Sequence, residues 1–380
     1  MGRGNSLKIL TRKSFVLYLA ALLIFWNEIV YIFLYSLFWN VLQDESVTGG
    51  RSTRILIVAD PQLIGYQNEP PLIGPLARWD ADRYLHNGFY YALLHGQPDL
   101  IVYLGDLFDE GVQASDEEFE WTMVRFNSIF NSWTSIQRVF ITGDNDIGGE
   151  GEPVLTTHVE RFRRRFPNTL HMAGLGLDGV AVDEMNVFNG VTRNLTDPNA
   201  PTTKKKKKKD ELLIMLSHAP IIRSYGIAAK KAVDANADLI LSAHDHTAEV
   251  YIRRRTASSV SSFDRIPLER HSSSVSALIG RTEPTVEMQT PTCSYRMGVP
   301  VMGYGLLTLK TRMARGREEG EERLQMEAKY AVLWLPGRYP QLLSYGVLLL
   351  WLIILMAHRC LYTLLRSIIL RRRPTKQNIV

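Results

Sequence analysis

The chain has 380 residues, 46% hydrophobic and 22% charged, the composition of an ordinary folded protein with room for one large or two small domains. Its formal charge of +5 comes largely from local runs at residues 204–209, 253–255 and 371–373, so it does not mark a nucleic-acid surface. Only two cysteines, Cys293 and Cys360, are present; they lie in different regions and indicate no disulfide framework.

Residues 1–14 form a basic tail with Arg3, Lys8, Arg12 and Lys13. Residues 15–42 are apolar except for Asn27, Glu28 and a few small polar residues, longer than a membrane helix needs. No small-residue cleavage site follows, so the run reads as an uncleaved anchor. A second apolar helix is expected over 341–358, ahead of a basic tail at 359–380 that carries Arg359, Arg366 and the arginines 371–373. By the positive-inside rule both tails face the cytosol, and the domain between them, 50–335, faces the lumen. Glu28 inside the first span has two readings: it marks a partner or polar pocket, or it faces the second helix or snorkels. The second is the plainer.

Within the domain, residues 54–59 form a compact β-branched run, a buried strand. Helical periodicity follows over 76–95 and stops at Gly96 and Pro98. Residues 100–104 and 138–142 read as strands, with a helix between them that Ser115 and Glu118 open as a capping box. A short basic helix is expected at 158–166. Residues 212–216 and 238–242 read as two more strands, with a helix near 224–235. Strands alternating with helices predict an α/β sandwich around parallel sheet. Three stretches read as surface insertions: 192–210, 253–281 and a solvated hairpin tip at 312–323. Asn194-Leu195-Thr196 is a glycosylation sequon.

Five short blocks stand out: Ala59-Asp60-Pro61-Gln62, Gly105-Asp106-Leu107-Phe108-Asp109, Gly143-Asp144-Asn145-Asp146, Ser217-His218-Ala219-Pro220 and Ala243-His244-Asp245-His246. Each sits at or just past an apolar run. A parallel sheet flanked by helices collects its strand ends on one edge, where ligands bind. So many acids cannot share a crevice without cations, because uncompensated carboxylates repel and desolvate at high cost. Two divalent metals are the simplest solution, and paired metals imply phosphoryl chemistry. A carboxylate has two oxygens, so Asp106 can bridge both ions. Asp60 and His246 then complete one metal, with Gln62 nearby, and Asp144, His218 and His244 complete the other. Asp109 is placed to orient a ligand from behind.

These blocks resemble the calcineurin-like metallophosphoesterases, whose run is D-x-H, G-D-x-x-D, G-N-H-D/E, a lone His, then G-H-x-H. The A-D-P-Q and G-D-L-F-D-E-G blocks, the P-T-C-S-Y-R-M-G block at 291–298 and the two anchors are similar to the membrane-bound enzymes that remove ethanolamine-phosphate side branches from GPI anchors. The resemblance implies a calcineurin-like β-sandwich flanked by helices, with membrane helices at both ends. It implies a dimetal phosphodiesterase acting on a mannose of GPI lipid or GPI-anchored proteins. That enzyme would reside in the endoplasmic reticulum, its exit sites or the early Golgi, and would support export of its substrates, with membrane lipids and cargo receptors as partners.

The chain departs from the family pattern at three places. Gln62 stands for His. Ala243 stands for Gly. Asp144-Asn145 stands for Asn-His, and Asn145 takes the place of the His that supports the leaving group or phosphate; an amide donates a hydrogen bond but gives up no proton. More oxygen and less imidazole favours Mn2+ or Mg2+ over Zn2+. Tyr295 and Arg296 are candidates to hold the phosphate. Two alternatives follow from the departures and the lumenal setting: a catalytically weakened, glycan-binding cargo adaptor, or a phosphodiesterase of another lumenal lipid or nucleotide-sugar.

Overall fold

A computed structural model describes residues 15–39, 52–130, 136–168, 170–171, 175–196, 211–224, 236–255, 262–271, 274–315 and 322–371. The expected helix near 224–235 and the lysine run at 204–209 lie outside the described residues, apart from Ser224 itself. Thirteen strands are described: β1 (Ser52–Val58), β2 (Leu100–Tyr103), β3 (Gln137–Phe140), β4 (Val180–Asn186), β5 (Val191–Asn194), β6 (Leu212–Leu216), β7 (Leu239–Ser242), β8 (Glu249–Arg253), β9 (Asp264–Pro267), β10 (Val275–Gly280), β11 (Thr285–Gln289), β12 (Met302–Arg315) and β13 (Glu322–Leu335). The helices are α1 (Phe15–Ser36), α2 (Gly74–Gly96), α3 (Asp116–Phe130), the single turn α4 (Asp144–Ile147), α5 (Thr156–Arg165) and α6 (Tyr339–Arg371).

The strands form two sheets, ordered β10-β13-β12-β1-β2-β3 and β5-β4-β6-β7-β11-β8-β9. Both are mixed rather than purely parallel. β1, β2 and β3 run parallel, as do β4, β6, β7 and β11, while β12, β13, β8 and the edge strands β5, β9 and β10 pair antiparallel. The two sheets close on each other over one core. Alternate residues of each strand point into it, such as Ile55 and Ile57, Leu100 and Val102, Ile214 and Leu216, Val286 and Met288. The intervening side chains face outward and are also covered. Tyr103 packs on Phe126 and Phe130 of α3, and Leu213, Met215 and Ile240 form a second cluster with Ile221 and Ile222. Burial on both faces explains why β1, β2, β6 and β7 read as continuous apolar runs.

Ser115 and Glu118 form the expected capping box, each backbone N–H donating to the other's side chain. The three stretches read as insertions are more ordered than expected. Residues 192–194 belong to β5, which pairs with β4, and 253–281 contains β9 and β10. Residues 312–315 and 322–323 extend the β12–β13 hairpin through the pair Arg315↔Glu322. Charged edge strands carry a weak periodic signal because one face and one edge stay in water.

The chain divides into two compact units, Ile32–Pro336 and a second made of Met1–Tyr31 with Gly337–Val380. The second contains most of two helical segments apolar and long enough to cross a membrane, Phe15–Ser36 and Tyr339–Ile368, each with a mean hydropathy of 2.0. The first is shorter than the 15–42 expected, and the second helix is longer than 341–358. Residues Trp26–Val30 wind as a π-turn, and this turn carries Asn27 and Glu28. Asn27 donates to Ser344 Oγ at 2.7 Å, Arg338 pairs with Glu28 at 3.1 Å, and Tyr345 donates to Glu28. Glu28 therefore faces the second helix and has a cation there.

Candidate metal centre

The ends of parallel strands from both sheets meet at one edge of the sandwich. Asp60 follows β1, Asp106 follows β2, and Asp144 follows β3. His218 follows β6; His244 and His246 follow β7. The first sheet thus supplies carboxylates and the second imidazoles. Metal-ligating atoms of Asp106, Asp144, His218 and His244 all lie within 4.8 Å of one another.

His218 is buried, and its Nδ1–H donates to the Leu104 carbonyl at 2.7 Å. That bond fixes the tautomer and turns Nε2 toward the carboxylates, 3.0 Å from Asp144 Oδ1 and 3.4 Å from Asp106 Oδ1. His244 Nδ1 sits 3.2 Å from Asp144 Oδ1. Asp60 lies beside this group: its Oδ1 is 3.8 Å from His218 Nδ1, and its Oδ2 accepts the His244 backbone N–H at 3.3 Å. His246 joins through Gln62, whose Nε2 is 3.3 Å from His246 Nε2 and donates to Asp106 Oδ2 at 3.0 Å.

Backbone strain is concentrated here. Seven described non-glycine residues have positive φ, and five of them are Asp60, Gln62, Asp106, His244 and His246. Such conformations cost of order 1–3 kcal/mol each and persist where the surroundings over-determine them, commonly at functional sites. The glycines before the ligands permit close approach. A Cβ on Gly105, at φ 87°, would sit 2.6 Å from Gly143 N and 2.8 Å from His218 Nδ1, and a Cβ on Gly143 would fall on Asp106 Oδ1.

The electrostatics suit cations. Burial, opposed by His218 and reinforced by Asp106, pushes Asp60 up to about 7. Burial also acts to raise Asp144, but the imidazoles of His218 and His244, 3.0 and 3.2 Å from its Oδ1, overcome it and hold its carboxyl well below the usual range. Asp60 Oδ1 and Asp144 Oδ1 are buried with no hydrogen-bond partner. Two orphaned buried carboxylate oxygens, facing imidazoles with no Lys or Arg within the cluster, are the donor set divalent cations require. The residues present fit a metal pair.

Three groups outside the ligand set support it. Asp146 Oδ1 accepts the N–H groups of Leu107 and Phe108 at 3.0 and 3.2 Å, and its Oδ2 accepts Gly143 N–H at 3.0 Å. It ties the loop after Asp106 to the loop before Asp144. Its only trace in the sequence is an acid at the third position of a one-turn helix. Phe188 lies over both imidazoles, its ring centre 6.3 Å from His218 and 5.9 Å from His244, and no local signal marks it. Buried Glu287 on β11 accepts the N–H groups of Ile221 and Ile222 and holds the loop that carries His218.

The other sequence candidates lie at the margin. Asp109 is raised to about 6, first by burial and then by Glu110. Tyr295 is buried, with its hydroxyl donating to Asp80 at 2.8 Å, and Arg296 pairs with Glu69; neither is directed at the ligand cluster. Asn194 sits on the edge strand β5, where its amide donates to Asp183 at 2.8 Å. A cavity of about 80 Å³ opens beside Asp144 and Asn145, and Asp109, Glu110, Glu150 and Glu152 wall it.

The family profile for calcineurin-like phosphoesterases matches residues 53–248, more than half of the chain. This chain belongs to that family. As a calcineurin-like phosphoesterase it carries a metal-dependent phosphoester-hydrolase site, formed at the strand ends described above. It is 30% identical over 135 residues to Cell division control protein 1 of Saccharomyces cerevisiae, covering 34% of this chain and 27% of that protein. It is 27% identical over 184 residues to Metallophosphoesterase 1 of Ailuropoda melanoleuca, covering 47% of this chain and 46% of that one. It is 29% identical over 157 residues to Metallophosphoesterase 1 of Gallus gallus, covering 40% and 38%. The match thus spans from about a quarter to just under half of the length of these relatives.

Proposed function

We propose that the chain is a phosphodiesterase that removes an ethanolamine-phosphate side branch from a mannose of GPI anchors, at the lumenal face of early secretory membranes. The observation that carries this reading is the acid-walled cavity against Asp144 and Asn145. A phosphodiester bearing an ammonium group would place its phosphate at the ligand cluster and its cation among Asp109, Glu110, Glu150 and Glu152. The two membrane-length helices and the similarity to proteins named Metallophosphoesterase 1 support it further.

Asp106, Asp144, His218 and His244 would hold the ions, with Asp60, Gln62 and His246 beside them. Divalent cations held there would supply charge neutralisation at the phosphate and lower the pKa of a water toward neutrality. Two carboxylate oxygens alongside two imidazoles within the four-residue cluster favour Mn2+ or Mg2+ over Zn2+. Asn145 reaches the site as a hydrogen-bond donor only, so the leaving mannose hydroxyl takes its proton from solvent.

A second reading rests on the same Asn145. With no proton-bearing imidazole at that position, the domain could bind phosphorylated glycans without turnover and act as a cargo adaptor. Deleting the gene and analysing GPI glycans by mass spectrometry separates the two. Extra ethanolamine phosphate cleared by the wild type but not by Asp106→Asn supports the phosphodiesterase. Rescue by both proteins supports the adaptor. Unchanged glycans remove the GPI substrate and direct attention to other lumenal lipids or nucleotide-sugars.

A further inference from the structure

Helix α2 turns an apolar face to solvent. Its inner face is already occupied, with Ala81, Leu85, Phe89 and Ala92 buried. On the outer side, Leu72 in the preceding turn and then Leu76, Trp79, Tyr90 and Leu94 are 95%, 64%, 59%, 40% and 59% exposed. At 3.6 residues per turn these five fall on one stripe, with Arg83 and Asn87 between them. The stripe is about 33 Å long at 1.5 Å per residue. A helix on the surface of a water-soluble domain presents polar residues there. Leu, Trp and Tyr interleaved with Arg and Asn is instead the composition of a helix lying in a bilayer interface.

Contacts within the domain unit indicate what covers the stripe. Phe33, near the end of the apolar helix α1, meets Tyr91 of α2 at 6.4 Å between ring centres. Trp39 packs edge-on against His95 at 5.4 Å and donates to the Trp334 carbonyl at 2.7 Å. Phe33, in the last turn of a membrane-length segment, and Trp39 just past it are therefore seated on the C-terminal half of α2.

We propose that the outer face of α2 lies in the boundary between headgroups and acyl chains, with Leu72, Leu76 and Trp79 inserted. The loop between Gln62 and Leu72 links this surface to the metal centre. Glu110, four residues past Asp106, accepts the Gln67 and Asn68 N–H groups at 2.9 and 2.7 Å and clamps that loop to the site. Insertion at Leu72 thereby holds the mouth of the site against the headgroup layer, where a membrane-held phosphodiester resides. The surface does not depend on which phosphodiester is cleaved.

The test uses the full chain in phosphatidylcholine nanodiscs with Cys360→Ser; Cys293 is buried. A bimane label is placed by Leu72→Cys, Leu76→Cys or Trp79→Cys, and by Met313→Cys as the exposed control on the β12–β13 hairpin. Brominated acyl chains quench the three α2 labels and spare the control, and aqueous iodide does the reverse. Labels at 72, 76 and 79 that respond to iodide as Met313→Cys does overturn the proposal. So do labels shielded from iodide but untouched by brominated lipid, since a second copy of the chain then covers the face. A Leu72→Ser/Leu76→Ser/Trp79→Ser variant adds a kinetic readout. Its KM for a lipid-held phosphodiester rises by roughly tenfold or more, the scale of a lost surface concentration, while hydrolysis of soluble bis(p-nitrophenyl) phosphate is unchanged. The quenching readout needs no activity, so its failure is distinct from failure of the GPI reading.

Discussion

Asn145 holds both oxygens of Asp106. Its backbone N–H donates to Oδ1 at 3.0 Å and its side-chain Nδ2 to Oδ2 at 2.9 Å. Asn145 is therefore a clamp on a carboxylate of the ligand cluster. Asn145→Ala removes one charge-assisted bond, worth about 1.5–3 kcal/mol, from a buried carboxylate. Metal affinity should fall roughly 10–100-fold, measured by calorimetric titration of Mn2+. Unchanged affinity would show that the clamp does not organise the site.

Asp146 accepts three N–H groups of two ligand loops, and among the described residues it is their sole acceptor. Asp146→Ala should cost at least about 3 kcal/mol, since each unsatisfied buried donor costs about 1–3 kcal/mol. Thermal unfolding of the full chain in detergent should show a midpoint lower by about 4 °C or more. A smaller shift would mean that water replaces the carboxylate.

Metal binding should release protons. Burial pushes Asp60 up to about 7, and the contact with Asp144 holds His244 above its ordinary value. A metal displaces protons from both. Because the Asp60 carboxyl is raised on folding, its protonated form contributes stability to the metal-free protein at low pH, and that contribution is lost as pH rises through about 7. Mn2+ affinity should therefore increase with pH through about 7. Calorimetry at pH 6 in buffers of different ionisation enthalpy should report net proton release; a buffer-independent heat would contradict this.

Glu28 and Arg338 are a closed pair, with the Arg338 side chain almost fully buried. Glu28→Ala leaves that guanidinium without its carboxylate, and breaking buried pairs this way costs about 3–5 kcal/mol. The double variant Glu28→Ala/Arg338→Ala should recover part of the loss. The detergent melting curve of the single and double variants measures the coupling, and equal curves would show the pair to be idle.

Much of the site was legible in the sequence because each ligand follows a strand whose own residues announce it. Ile55 to Val58 are apolar and buried on both faces, and Asp60 comes two residues later. The same holds for Leu100–Tyr103 before Asp106 and Leu239–Ser242 before His244. Strands with charges in buried registers were not legible. β4 carries Asp183 and Glu184, and β11 carries Glu287, whose carboxylate is satisfied by N–H groups of Ile221 and Ile222, more than sixty residues away. No local pattern shows that such an acid is buried.

By itself, the sequence determined the order of the ligand blocks, the two apolar helices and the strand runs that precede the ligands. These are local features, set by hydrophobic period and by residue type over a few positions. Only the tertiary structure decided that two mixed sheets deliver carboxylates and imidazoles to one edge, and that five site residues, Asp60, Gln62, Asp106, His244 and His246, sit in strained backbone there. It also decided that Tyr295 turns to Asp80, Glu28 to Arg338, and the apolar stripe of α2 to the outside. Each depends on pairing a polar group, or leaving an apolar one uncovered, across distant parts of the chain, and that accounting exists only once the chain has closed on itself.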